Sequence, residues 1–250
     1  PLPIARKTPK FESGSAAETI SERRRREMTR LNLRRYAVEL AIVAGVVCLA
    51  LPAAAQITAS AHDLNSYVPA ITMPNGRICV ACHTPHNANS TDAPLWNHAA
   101  SAGGHIPYTS SSIDAVDLGA PKGVSLLCLS CHDGSAALDS FGAGTRTDNT
   151  PGTVTLTGTA LFGLDMTTDH PVSFTYDAAL SGTDGELHNP TTENSGIGST
   201  IDQDMLFGAS NDQLECASCH DVHNGTSVVE APLLIKTNVG SQLCLTCHNK

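Results

Sequence analysis

One five-residue pattern constrains this chain more than any other feature of its sequence. Two cysteines separated by two residues and followed directly by a histidine occur four times, at residues 79–83, 128–132, 216–220 and 244–248. Eight of the nine cysteines belong to these copies, and the ninth, Cys48, lies in an apolar N-terminal segment. Any fold of the chain must therefore accommodate four separate segments that each carry two thiols and an imidazole in the same order.

The pattern C-x-x-C-H is the attachment signature of c-type haem. Two thiols one helical turn apart can add to the two vinyl groups on one edge of the macrocycle, and the next histidine then lies under the iron. A zinc ribbon or a redox disulfide also uses C-x-x-C pairs, but neither requires a histidine after every pair. We therefore predict four c-type haems. The attachment cysteines are Cys79, Cys82, Cys128, Cys131, Cys216, Cys219, Cys244 and Cys247, and the proximal iron ligands are His83, His132, His220 and His248.

Residues 28–55 have the layout of a secretory signal peptide. Three arginines precede an apolar run that ends at Leu51, and small residues follow up to Ala55. The run is short for a membrane span, and Pro52 follows it closely. We expect cleavage after Ala55, secretion through the periplasm to the cell surface or the extracellular space, and no membrane span in the mature chain.

The segment before Met28 has no periodicity and no haem, metal or phosphate signature. We interpret residues 1–27 as a non-native upstream sequence or a disordered leader, with Met28 as the true start. The alternative for the run Arg23 to Arg26 is an unusually long basic leader. The remaining residues, 56–250, form the predicted tetrahaem cytochrome domain.

Charge excludes two classes of partner for this domain. Residues 56–250 contain five Lys and Arg side chains against nineteen Asp and Glu, a formal charge of −14. Such a chain is repelled by phosphate groups, so we expect it to bind neither nucleic acid nor an anionic membrane surface.

Aromatic side chains are scarce, at 4% of the chain, and the segment after the second motif is rich in Gly, Thr, Ser, Asn and Asp. Side chains of this kind cannot build an ordinary core at this length, so the porphyrins must supply most of the buried apolar surface. The predicted fold is a multihaem cytochrome c of mostly irregular coil, with a few short helices wrapped around a chain of four covalently bound haems. A brief strand is expected near Thr153 to Thr157.

The chain has eleven histidines, which leaves seven besides the four proximal ligands. Two of them, His86 and His223, lie three residues after a proximal histidine. Rings on one turn of chain point the same way, so such a pair cannot bind one iron from opposite sides. We predict that His86 binds a neighbouring haem, and likewise His223.

Several stretches carry a resemblance to a known family. They are AHDLNSY, CVACHTPHNA, APLWNH, LLCLSCHDGSAA, TTDHPVSF, CASCHDVHN and LCLTCHNK. In this order they resemble the doubled-CxxCH multihaem cytochromes, and more closely the OmcE-type tetrahaem cytochromes, extracellular proteins that polymerise into haem-lined filaments.

The resemblance implies iron atoms with two histidine ligands each. It implies that His62, near the mature N-terminus, binds a haem of the adjacent subunit, the alternative being a surface histidine. It also matches His170 to the remaining distal position. The distal set is then His62, His86, His170 and His223, and the surplus histidines are His98, His105 and His188. Among these three, His98 beside Trp96 has the strongest competing claim.

The function expected from these features is extracellular electron transfer by a non-enzymatic subunit of a homopolymeric filament. Redox proteins would donate the electrons, and a terminal extracellular acceptor would receive them. A soluble periplasmic tetrahaem shuttle is the first alternative. A multihaem reductase is the second, although the few basic residues disfavour an oxyanion pocket.

Overall fold

The structure is a computed structural model. In it the chain forms two compact units, Pro1–Ala53 and Ala54–Lys250. It describes residues 20–36 except 22, 26 and 34, 57–67 except 59, 71, 76–86, 88, 95–142, 154–223 and 233–249. In the first unit the described residues between 20 and 36 are helical and exposed, and they form α1. Within the described ranges, no helix has both the length and the apolar character of a membrane span. The expected cleavage site after Ala55 lies outside them.

The helices of the second unit are short. They are α2 (Leu64–Tyr67), α3 (Gly123–His132), α4 (Ala178–Asp184), α5 (Ile201–Met205) and α6 (Cys244–Cys247), with 3-10 turns at Ile78–Ala81, Gly158–Ala160, Cys216–Ser218 and Val239–Ser241. Most other described residues lie in turns and coil. The prediction of mostly irregular coil with a few short helices is therefore confirmed for the described part of the chain.

Local sequence sets both ends of α4. The carboxylate of Asp177 accepts a hydrogen bond from the Leu180 N–H at 2.8 Å, which caps the first turn. Gly185 follows the helix with φ of 73°, a conformation that costs glycine little, and its N–H donates to the Ser181 oxygen at 3.1 Å. The chain then turns so that the His188 N–H donates to the Cys247 oxygen at 2.8 Å, which ties this segment to the fourth motif.

The sheet of the second unit has two very short antiparallel strands, β1 (Phe174–Thr175) and β2 (Gln213–Leu214). Phe174 lies opposite Leu214, and Thr175 lies opposite Gln213. The strand expected near Thr153 to Thr157 is wrong for residues 154–157, which are coil. Val154 accepts a backbone hydrogen bond from Leu138 at 2.8 Å, but among the described residues no strand lies beside residues 155–157 to extend a ladder.

Two small apolar clusters form the core. The first contains Phe174, Tyr176, Ile201, Met205, Leu206, Leu214 and Leu243, and the half-buried Cys219 and Cys247 pack against it. The second contains Ile71, Val80, Ala81, Leu138 and Phe141, and Cys82 and Cys131 pack against it. Each cluster is therefore bordered by the second cysteines of two neighbouring C-x-x-C-H motifs.

Candidate haem sites

The C-x-x-C-H copies fold into single helical turns. The N–H groups of His83, His220 and His248 donate to the oxygen of the first cysteine of their own motif, at 2.9, 3.2 and 3.0 Å. The second copy forms the last turns of α3. Residues three apart share a face of such a turn, so both cysteines of a motif face the same side. One edge of a macrocycle requires this arrangement.

The second thiol of each motif does not resemble an activated redox thiol. All eight cysteines are free. Burial is the main cause that raises the pKa of the second cysteine in every motif, to about 11 for Cys82 and Cys219 and to about 12 for Cys131 and Cys247. A redox-active C-x-x-C pair needs a lowered thiol pKa instead. The second cysteines therefore lack this property of redox-active pairs, whereas a hydrogen bond with Cys128 lowers the pKa of Cys216.

Motifs that follow one another in sequence are also neighbours in space. The thiol of Cys82 interacts electrostatically with that of Cys131, which joins the first motif to the second. A hydrogen bond between Cys128 and Cys216 joins the second to the third. Cys219 interacts with Cys247, which joins the third to the fourth. Each attachment site therefore lies close to the next one in sequence.

Three of the four proximal histidines face a histidine from a distant part of the chain. Ring centres are 6.1 Å apart for His62 and His132, 6.2 Å for His223 and His83, and 6.4 Å for His170 and His248. Two imidazoles bound to opposite sides of one metal, each about 2 Å from it, have ring centres about 6 Å apart. The three pairs therefore have the separation that two axial ligands of one haem iron require.

His62 provides a further test of whether these residues fit a haem. Its Nδ1 is buried and has no hydrogen-bond partner, a costly state for a polar atom. Burial and three nearby imidazoles lower its pKa to about 4, the neighbours being His132, His220 and His223. The ring is therefore neutral at pH 7, which is the form that binds a metal. On these grounds the site fits the haem that the motifs imply.

His86 is the predicted distal ligand that is not brought to a proximal histidine in the described structure. Its ring is exposed, and its backbone groups are tied to its own turn, with the Thr84 hydroxyl donating to the His86 oxygen at 2.8 Å. His220, the proximal histidine of the third motif, interacts electrostatically with His62. The role of His86 as a ligand therefore stays a prediction.

The three surplus histidines have other neighbours. His105 Nε2 lies 3.1 Å from a buried carboxylate oxygen of Asp133, and His188 Nδ1 lies 3.8 Å from a carboxylate oxygen of Glu193. His98 is 1% exposed, and its Nε2 lies 3.4 Å from the sulfur of Cys131. Sequence reasoning did not connect His98 with an attachment cysteine, because 33 residues separate the two.

Comparison with known proteins gives a family match at the C-terminal end of the chain. Residues 209–250 match the family described as the doubled CXXCH motif. The match contains the third and fourth motifs, and it indicates a multihaem c-type cytochrome with covalently bound haem that serves in electron transfer. A search of curated proteins found no match to the chain.

Proposed function

We propose that this chain is a tetrahaem c-type cytochrome that carries electrons along four haems in series. The observation that carries the proposal is the pairing of three motif histidines with histidines from distant segments, at ring-centre distances of 6.1 to 6.4 Å. When bound, the haem irons supply the one-electron chemistry. The chain's own residues would set the spacing of the haems, supply histidine ligands to the irons and limit access of water.

Each axial pair is assigned to one motif. His62 would serve the haem on His132, His223 the haem on His83, and His170 the haem on His248. This leaves the predicted ligand His86 for the haem on His220. An iron with two histidine ligands has no vacant position for a substrate, and it lacks the methionine ligand that raises the reduction potential. This ligation favours electron transfer at low potential over catalysis.

The charge of the chain bears on its redox partners. With a formal charge of −14, residues 56–250 would attract basic patches on other redox proteins and steer them into short-lived encounters. We propose that such proteins donate electrons to a secreted form of the chain. The signal-peptide layout of residues 28–55 supports secretion, and the proposal includes a terminal acceptor outside the cell.

Two assemblies are candidates for this electron carrier. The resemblance to OmcE-type cytochromes supports a homopolymeric filament in which His62 binds a haem of the adjacent subunit. The distance of 6.1 Å between the rings of His62 and His132 in one chain supports a monomeric shuttle instead. The two differ by exchange of the N-terminal arm between copies, as in domain swapping.

The haem content and ligation can be tested on the secreted protein produced with c-type haem attachment. We expect intact mass and the pyridine haemochromogen spectrum to give four haems per chain, and the reduced protein to bind no carbon monoxide. A lower haem count with all motif cysteines intact would overturn the tetrahaem assignment. Carbon monoxide binding to the wild-type protein would instead favour the reductase.

The assembly can be tested on the same material by electron microscopy and analytical ultracentrifugation. Filaments that dissolve when His62 is replaced by alanine would support the polymer. A monomer whose His62→Ala variant stays monomeric and gains one open haem iron would support the shuttle.

A further inference from the structure

A buried carboxylate lies between the second and third motifs. Glu215 directly precedes Cys216 and is 3% exposed, although glutamate is rarely buried without specific partners. Three serines beside it are buried as well, with exposures of 1% or less; they are Ser125, Ser173 and Ser218. None of the sequence motifs contains all four residues, and the haem-ligand assignments leave Glu215 without a role.

The hydrogen bonds of Glu215 come from backbone N–H groups and serine hydroxyls. Its Oε2 accepts from the Ser125 N–H at 3.1 Å, from the Ser125 hydroxyl, and from the Ser173 hydroxyl at 2.9 Å. The carboxylate also accepts from the Ser218 N–H in a reciprocal cap. The two N–H groups can only donate, and the Ser125 hydroxyl accepts from the Cys216 N–H while it donates to Glu215. The Ser173 hydroxyl shares its hydrogen between Glu215 and the Lys122 oxygen at 3.1 Å. This set of donors suits an ionised carboxylate. Its position beside the first turn of α3 adds the favourable field of a helix N-terminus.

The same bonds connect the two motifs mechanically. Ser125 lies in α3, which ends in the second motif, and its hydroxyl accepts from the Cys216 N–H at 2.9 Å. Gly123, at the start of α3, has φ of 54°, and a β-carbon there would lie 2.7 Å from Oε1 of Glu215. Glycine therefore lets the helix start approach the carboxylate closely. Glu215 holds α3 against the turn of the third motif.

The negative charge also acts on the sulfur atoms that join the two motifs. A hydrogen bond to Cys216 raises the pKa of Cys128, burial adds to this, and the charge of Glu215 contributes further. Glu215 acts in the same sense on Cys216. The first cysteines of both motifs therefore interact electrostatically with the same buried carboxylate. A fixed anion near a haem stabilises the ferric form over the ferrous form, because the ferric form carries more positive charge.

We infer that Glu215 is a positioning residue that sets both the contact between the second and third haem sites and the reduction potentials of these two haems. This inference rests on the proposed function. Glu215 would lower the reduction potentials of the second and third haems together. The difference between the two potentials would then stay small, so electron transfer between these haems would have a small free-energy change. Neutralising the residue should raise these two potentials and leave the outer two unchanged.

The test uses the haem-loaded protein with Glu215→Gln, which keeps the shape of the side chain and removes its charge. The matched control is Asp177→Asn, which removes one charge at a helix cap that asparagine can also form. We expect spectroelectrochemical titration of the Glu215→Gln protein to show two of four potentials raised by at least about 59 mV, a tenfold change in each one-electron equilibrium. The control should leave all four unchanged.

A second variant covers the case in which Glu215→Gln does not fold. Ser173→Ala keeps the carboxylate but removes one donor to it, so its charge is less compensated, and the same two potentials should fall. Unchanged potentials in a haem-loaded variant, or an equal shift of all four, would overturn the role of Glu215 as a tuning residue. Absence of covalent haem from the wild-type protein would instead overturn the proposed function.

Discussion

Replacing His223 by alanine should open one haem iron per molecule. In the described structure the rings of His223 and His83 are 6.2 Å apart, with an angle of 13° between their planes. Alanine ends at its β-carbon, so no ligand atom would remain opposite His83. An iron left with five ligands becomes high-spin and binds external ligands, whereas irons with two histidines do not.

The magnitude follows from the number of pairs that are broken. With four haems per chain, His223→Ala should bind one carbon monoxide per protein when reduced, so about a quarter of the haem absorbance should change. The assay is a titration of the reduced protein with carbon monoxide, followed in the Soret band. Added imidazole should fill the open position and suppress this binding.

The control is His188→Ala, the same chemical change at a half-buried ring near Glu193. It should bind no carbon monoxide beyond the wild-type level. If His223→Ala also binds none, or if the control binds as much, then the ring-centre distance does not identify the axial pair and the reasoning fails.

Three further changes test other contacts. His62→Ala in a dilute monomeric sample should open the haem on His132, seen as one carbon monoxide per chain; an unchanged titration would contradict pairing within one chain. Tyr176→Phe removes a hydroxyl that donates to the His188 oxygen at 2.6 Å, so denaturant unfolding of the haem-loaded protein should show a loss of about 1 to 3 kcal/mol. Gly185→Ala at positive φ should cost about 1 kcal/mol in the same measurement, whereas Gly182→Ala, inside α4 with open space around its β-carbon, should be neutral or stabilising. Equal effects of the two glycine changes would argue against the left-handed cap.

The sequence predicts the local chemistry of the attachment sites well, because all the groups of one site lie within five consecutive residues. Cys79 to His83 can be interpreted without knowing any other part of the chain, since one helical turn brings the thiols and the imidazole together. The scarcity of aromatic residues likewise predicts short helices and coil. Both inferences depend on short-range geometry and composition alone.

Long-range pairings are harder to predict, because spacing gives no information about them. Phe174 pairs with Leu214 across a two-residue strand too short to have a recognisable pattern. Glu215 looks like any surface glutamate until the fold brings Ser125 and Ser173 to it from 90 and 42 residues away. His86 has a motif position that suggests a ligand, but the described structure leaves its ring exposed.

The single-turn conformation of the motifs has a consequence for maturation of the protein. Because the His83 N–H bonds to Cys79 and the His248 N–H bonds to Cys244, each attachment site can form while the rest of the chain is still extended. If the chain is exported as proposed, the enzymes that install haem could therefore work on one motif at a time during export. Long-range contacts such as that between Phe174 and Leu214 would then form after the attachment sites.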